Sequence, residues 1–289
     1  MGSDGLATEV VDAINAAFGS HAGFRALHAR GALCGGAFRP SAGARAFCAA
    51  ELLATDAVGA LVRFSNASGN PEDHDGLRDA RGLAVKLDGG WDLASVTAPS
   101  FLTRTPDDFL ELISLRASGD AEALGAWLAD HPETGAAVAA RFAVGPPESW
   151  LGLTYNGIHA FRFAAPDGSA RWARTRFLPD APGTELDDES AMGRDPHYLD
   201  ATLDDGLPAG FTLIARLAES GDPLTDPTAP WPEDRETVEL GRLEVERRED
   251  RPEPVVFDPM HLPAGIEASE DPILRFRSAA YSASVERRV

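Results

Sequence analysis

The chain has 289 residues, 44% of them hydrophobic, which is ample for a buried core. Its 26 basic and 46 acidic residues give a formal charge of −20, which repels phosphate backbones and anionic membrane surfaces. No uncharged apolar run approaches the ~18–20 residues that cross a bilayer. Nucleic-acid binding and a membrane span are therefore not expected.

The N-terminus predicts the location of the protein, and the cysteines exclude two kinds of site. Acidic residues stand in the first 19 positions where a secretory signal has basic ones, so we expect a cytoplasmic location. The only two cysteines, Cys34 and Cys48, form no C-x-x-C pair, which excludes a zinc ribbon and a disulfide framework. Both are expected to be small buried side chains.

The first hundred residues are predicted to form one helix followed by strands. Apolar residues at helical spacing predict a helix from Thr8 to Phe18, which Gly19 ends. Between Leu61 and Thr103, short β-rich runs separated by Gly, Asn and Asp predict successive strands: LVRFSNAS, GLAVKLD and PSFLTRT.

A block of helices is predicted next. Thr105, Pro106 and the two following aspartates supply a hydroxyl cap, a proline at the first helical position and acids at the positive end of the dipole. The helix that they start should reach about Arg116. Alanine-rich segments predict two more helices, over residues 121–131 and 134–142.

Strands are predicted again in the second half. Pro166-Asp-Gly168 predicts the turn of a hairpin, and a Pro- and Asp-rich loop at 221–235 separates two later strands. The four strand segments are 159–163, 171–177, 211–217 and 238–245. A last helix is predicted from Asp271 to the C-terminus. Helix, strands, helices, strands, helix is the order of an antiparallel α+β protein, for which a barrel is one form.

Common catalytic motifs are missing. The sequence contains no GxGxxG after a strand, no GxxxxGK[ST], no HExxH and no GxSxG. None of the seven histidines has another four residues further on, so the sequence indicates no histidine-rich metal site. A metal would need another type of ligand.

Such a ligand is available near the C-terminus. Arg277, Tyr281 and Arg288 are four and seven residues apart and share one face of the predicted last helix. A phenol with an ordinary pKa of about 10 binds ferric iron well only when the phenolate is favoured, and a cation one turn away supplies that bias. The alternative is a half-buried helix aromatic beside solvated arginines.

Five segments, in order, resemble the haem catalase superfamily, most closely its small catalase-related peroxidases. The resemblance is strong over residues 22–116 and 255–289 and faint over 150–250. The matching segments are RALHARGA (25–32), VRFSNASG (62–69) with LRDARGLAVKL (77–87), WDL (91–93) with TAPSFLTRTPDDF (97–109), FDPMHLPAGIEASEDP (257–272) and R-x-x-x-Y (277–281).

The resemblance implies an antiparallel β-barrel of catalase type with flanking helices around one haem b. Residues 1–289 would form a single catalase-like haem-binding domain. Nothing in the sequence corresponds to the C-terminal helical domain or the NADPH pocket of larger catalases. We therefore expect no NADPH, and a monomer or homodimer.

The resemblance also implies the residues that hold haem. Tyr281 matches the iron ligand, and tyrosinate is a known axial donor to haem iron. Arg277 matches the arginine that contacts the tyrosine oxygen. Arg25, Arg63 and Arg288 match the positions that bind the haem propionates, where guanidinium groups suit carboxylates.

On the other face of the haem, His28 matches the distal histidine, whose neutral imidazole accepts the peroxide proton and returns it to the departing oxygen. Ser65 matches the hydroxyl that orients this imidazole, and Phe109 matches an aromatic near the haem face. The family has a distal asparagine before Thr-Pro, where this chain has Thr97. A threonine donates one hydrogen bond only, so we expect weak catalase turnover.

The resemblance implies a haem-dependent peroxidase that reduces hydrogen peroxide or organic hydroperoxides with a small-molecule electron donor. Two alternatives remain open. One is a catalase-related fatty-acid hydroperoxide isomerase or dehydratase of the allene oxide synthase type, which needs no donor. The other is a haem carrier or sensor without acid–base chemistry, although the presence of both His28 and Ser65 disfavours it.

Overall fold

The computed structural model of the protein describes residues 3–250 and 255–288. Its helices are α1 (Ser3–Phe18), α2 (Ala42–Phe47), α3 (Pro106–Ser118), α4 (Ala121–Asp130), α5 (Pro132–Ala143), α6 (Asp188–Met192), α7 (Tyr198–Gly206) and α8 (Pro272–Glu286). Its strands are β1 (Gly31–Pro40), β2 (Val58–Asn66), β3 (Arg81–Leu87), β4 (Trp91–Val96), β5 (Tyr155–Asn156), β6 (Phe161–Ala164), β7 (Ala170–Pro179), β8 (Ala209–Leu217), β9 (Thr237–Arg248) and β10 (Ile266–Ala268).

Eight of the strands close into an antiparallel barrel. Neighbours around it run β7, β5, β4, β3, β2, β1, β9 and β8, and β8 pairs with β7 to close the ring. Strands β6 and β10 extend the sheet beyond β7. Closure leaves no unpaired edge in the ring. The predicted antiparallel barrel with flanking helices is confirmed.

Aromatic side chains fill the inside of the barrel. The ring centroid of Phe64 lies 6.3 Å from those of Trp150 and Tyr155 and 6.1 Å from that of Phe211. All four side chains are completely buried. Because side chains alternate along a strand, the neighbours of Phe64 in β2 point outward from the barrel.

A layer of helices covers the outer face of β2, β3 and β4. Val10 and Ile14 of α1 pack against Phe109 and Ile113 of α3, and Phe276 of α8 joins this apolar cluster. Helix α1 contacts both α3 and α8. The candidate site lies between this layer and the barrel.

The predicted elements agree with the structure except at the segment PSFLTRT and at the start of the first helix, and the structure adds elements that were not predicted: α2, α6, α7, β1, β4, β5 and β10. The segment PSFLTRT is not a strand, because Pro99 has no N–H and the N–H of Phe101 donates to the carbonyl of Pro227 in the 221–235 loop. Strand β4 lies just before it. The first helix begins at Ser3 rather than Thr8, and β1, which carries few of the usual β-forming residues, was not predicted.

None of the helices in the described part of the chain has the length and apolar character of a membrane span.

Candidate active site

The site is built on a row of residues that crosses three strands of the barrel. Ser65 of β2 pairs with Gly82 of β3, which pairs with Val96 of β4. Residues opposite one another in antiparallel strands point to the same side of the sheet. This row points outward, toward the helices, and His28 packs against it: its Nδ1 lies 2.9 Å from the Ser65 hydroxyl oxygen.

The backbone holds His28 in an unusual conformation. Its φ of 53° is the only positive φ of a non-glycine residue in the described chain. Hydrogen bonds on both sides fix it: the His28 N–H donates to Ala67 O at 3.2 Å, and the Arg63 guanidinium donates to His28 O at 3.0 Å. A strained backbone conformation persists only where the surrounding structure holds it, and such conformations are typical of functional sites.

The surroundings of His28 keep its imidazole neutral. The ring lies deep in the protein, and its pKa is lowered to about 3, with desolvation as the largest cause. The positive charge of Arg63 contributes to this lowering, with smaller contributions from Arg141, Arg277 and Arg25. At neutral pH, His28 is therefore a proton acceptor, as the predicted acid–base role requires.

Gly82 makes the contact between His28 and Ser65 possible. A Cβ at position 82 would lie 2.6 Å from the Ser65 hydroxyl and 2.8 Å from His28 Nδ1. Neither neighbour can yield without breaking their hydrogen bond.

We expect Gly82→Ala to displace the His28 imidazole and slow reaction with peroxide by about tenfold or more, with about 1–3 kcal/mol lost from the free energy of unfolding. Peroxide-decay rates and thermal unfolding measure the two effects. Gly125→Ala in α4 is the matched control, because a Cβ there meets no atom within 4 Å and alanine favours the helix. Equal rates for Gly82→Ala and Gly125→Ala would contradict this role for Gly82.

Tyr281 lies on α8, on the face shared with Arg277. Two nitrogens of the Arg277 guanidinium donate to the Tyr281 oxygen, Nε at 2.9 Å and a second nitrogen at closer range. A third hydrogen bond holds the Arg277 guanidinium, which donates to Nε2 of His159 at 3.1 Å. The guanidinium thus aims its positive charge at the tyrosine oxygen.

His159 and Asp271 complete this arrangement, and sequence reasoning missed both. His159 Nδ1 donates to Asp271 at 2.7 Å, while the other carboxylate oxygen of Asp271 accepts from Ile273 N and caps α8. Burial, the dominant cause, lowers the pKa of His159 despite the nearby carboxylate. The neutral imidazole therefore donates a hydrogen bond from Nδ1 to Asp271 and accepts one at Nε2 from Arg277. Asp271 before Pro272 was recognisable as a helix cap, but not as a partner of His159.

One cavity of about 1220 Å³, its open mouth included, joins these groups. His28 and Ser65 line it from the barrel side and Tyr281 from α8. The other predicted site residues that line it are Arg25, Arg63, Phe109, Arg277 and Arg288. The structure thus brings together eight of the nine predicted residues, and the exception is Thr97.

Thr97 does not reach this cavity, so its predicted orienting role is corrected. Its hydroxyl accepts a hydrogen bond from Arg81 N at 3.0 Å, and its side chain lines a separate small cavity. Val96, one residue earlier, faces His28 because it pairs with Gly82. A shift of one residue moves a side chain to the other face of a strand. At this position of β4, the side chain that faces the cavity is therefore a hydrocarbon.

The residues around the cavity fit a haem. An oxygen donor on α8, backed by a guanidinium, suits a ferric ion, and three further arginines at the cavity suit two carboxylates. Ile14, Ala84, Phe276 and Ala280 add the apolar wall that a flat macrocycle requires.

Comparison with known proteins shows the family of the chain. The family model described as Catalase matches residues 20–289. The chain belongs to the catalase family. It is 39% identical to a catalase-related peroxidase of Mycolicibacterium paratuberculosis, covering 97% of this chain and 94% of the relative. A catalase-related peroxidase of Synechococcus elongatus is 29% identical, with 97% and 88% covered.

Longer members of the catalase family match in part of their length. Catalase-2 of Bacillus subtilis is 26% identical over 89% of this chain and 43% of its own length. A fungal catalase crystal structure superposes with a TM-score of 0.79 at 23% identity, covering 93% of this chain and 60% of that one. The likeness to the fungal catalase structure shows a shared fold. The predicted family resemblance is confirmed.

Proposed function

We propose that this protein is a haem b-dependent peroxidase that reduces hydrogen peroxide or organic hydroperoxides with electrons from a small-molecule donor. The observation that carries the proposal is the pairing, around one cavity, of a neutral imidazole held by Ser65 with a tyrosine oxygen held by Arg277. The names of the two catalase-related peroxidases support the same activity.

Haem would supply redox-active iron, and the Tyr281 oxygen is the group that would hold this iron. Arg277 would hold that oxygen in place by two hydrogen bonds, and His159 and Asp271 would hold Arg277. Arg25, Arg63 and Arg288 are the candidates for binding the propionates.

His28 would move the proton of the substrate. As a neutral base it accepts the proton from the bound hydroperoxide, and as the resulting acid it returns the proton to the oxygen that departs when the O–O bond breaks. Ser65 fixes the orientation of the ring through Nδ1, so that Nε2 is the nitrogen available to substrate. Phe109 contributes an apolar surface to the same cavity.

We further propose that residues 1–289 act as one haem-binding domain and that the protein is cytoplasmic, as a monomer or homodimer. Among the described residues, the helices over the cavity and the barrel strands beneath it each contribute to one site.

The proposal is tested by measuring donor oxidation and oxygen release side by side. Purified haem-loaded protein should oxidise a phenolic donor such as guaiacol with hydrogen peroxide, and should release oxygen slowly. Turnover of a hydroperoxide to an isomerised product without any donor would contradict a peroxidase, as would a protein that takes up no haem.

The slow oxygen release is expected because Val96 offers no hydrogen bond to a second peroxide molecule beside His28. Val96→Asn adds such a group and should raise the rate of oxygen release by about tenfold. Thr97→Asn is the control, since it places the same amide outside the cavity. Oxygen release that rises in Thr97→Asn but not in Val96→Asn would show that Val96 does not set this rate.

A further inference from the structure

A second cavity, the vestibule, adjoins the cavity that His28 and Tyr281 line, and it opens to solvent. It measures about 2650 Å³ with its open mouth included. The two cavities share a wall formed by Leu27, His28, Val96, Phe101, Phe109 and Arg277. A hydrogen peroxide molecule needs no space of this size, so the vestibule has room for a much larger molecule with access to His28.

The vestibule is largely apolar. Leu77, Phe142 and Met192 line it and are 44%, 46% and 47% exposed. Large apolar side chains grouped around an opening are typical of a surface that binds another molecule. Hydrogen peroxide has no apolar surface that these side chains could cover.

Helix α3 forms one wall that leads from the shared partition to the rim. Phe109, Leu112, Ile113 and Arg116 follow the spacing of a single helix face, and all four line the vestibule. At ~1.5 Å per residue, Arg116 lies about 10 Å along the axis from Phe109. This wall is therefore an apolar strip with a positive charge at its outer end.

The other charged groups of the vestibule are already bonded. Arg78 pairs with Asp188, Arg141 pairs with Asp79, and the carboxylate of Asp73 accepts from Ser68 and Asn70. No carboxylate of residues 3–250 or 255–288 lies within 4.0 Å of the Arg116 guanidinium, whose central carbon sits 4.5 Å from the ring centroid of Phe18. Arg116 is thus a cation of the vestibule that is open to an anionic ligand.

We propose that the vestibule binds an organic acid with an elongated apolar body. Its carboxylate pairs with Arg116, its apolar body lies along Leu112 and Ile113, and its far end reaches the wall shared with His28. As a site for substrate, this rests on the peroxidase function proposed above, with organic hydroperoxides that carry a carboxylate as the substrate class. Binding of such an acid in the vestibule does not depend on that function.

Calorimetric titration of the purified full-length protein with decanoate tests the binding site. Decanoate should bind, acetate should bind much more weakly, and Arg116→Gln should weaken decanoate binding by about fivefold. Arg171→Gln is the matched control, because Arg171 is an exposed arginine paired with Glu236 and lies outside the vestibule. Equal affinities for acetate and decanoate, or equal weakening by the two variants, would overturn the proposal.

Kinetics test the substrate class separately. For a long-chain hydroperoxide, the KM of the free acid should be about fivefold lower than that of its methyl ester, and Arg116→Gln should abolish the difference. A difference that persists in Arg116→Gln would overturn the assignment of Arg116. If no hydroperoxide is turned over at all, the peroxidase function fails, and the titration with decanoate still decides whether the vestibule binds organic acids.

Discussion

Replacing Tyr281 by phenylalanine is expected to give a folded protein that no longer retains haem. The substitution removes the oxygen that receives two hydrogen bonds from Arg277, and with it the proposed iron ligand. Changes in groups that only support a metal ligand cost about 10- to 100-fold in affinity, so loss of the ligand itself should cost more than about 100-fold. Absorption in the haem region after expression with ample porphyrin measures the effect.

Tyr198→Phe is the control for the loss of a phenol. The hydroxyl of Tyr198 donates to Pro147 O at 2.7 Å, and this residue lies away from the cavity. This variant should retain haem and lose about 1 kcal/mol of unfolding free energy. Haem bound equally by the Tyr281→Phe variant and the wild type would mean that another group holds the iron.

The residues that hold Tyr281 show why only part of the site could be predicted from the sequence. Arg277 and Tyr281 are four residues apart on one helix, so their contact follows from helical geometry. His159 and Asp271 are 112 residues apart, and only the closure of the sheet and the packing of α8 bring them together. Local spacing carries no information about such a pair.

The register of the barrel explains the error at Thr97. Of the two site residues that the motif at 97–109 supplied, Phe109 lines the cavity and Thr97 does not. Which of two neighbouring side chains faces His28 depends on the pairing of Val96 with Gly82, which the sequence does not state. Family resemblance predicted the barrel, and eight of the site residues that it implied line one cavity. The vestibule depends on helices and loops that lie far apart in the chain.

Replacing His28 by glutamine is expected to slow the reaction with peroxide by about 10²- to 10⁴-fold while haem binding is kept. Glutamine has no group that can both accept and return the proton at neutral pH. Ser65→Ala should have a smaller effect, about tenfold, because it removes the hydrogen bond that orients the ring and leaves the base in place. The rate of peroxide decay in a single turnover, measured against enzyme concentration, reports the step.

The pH dependence of the rate distinguishes proton transfer by His28 from a purely structural role of this residue. With its pKa lowered to about 3, His28 remains neutral until strongly acid pH, so the wild-type rate should be flat from about pH 5 to about pH 8. The rate should fall only as the pH approaches the pKa, where the imidazole becomes protonated and can no longer accept a proton. His28→Gln should lack this acid fall, whereas His197→Gln, at a histidine outside both cavities, should keep the wild-type profile. A wild-type midpoint near the ordinary histidine pKa of about 6.5 would show that the arginines and the burial around His28 do not keep it neutral.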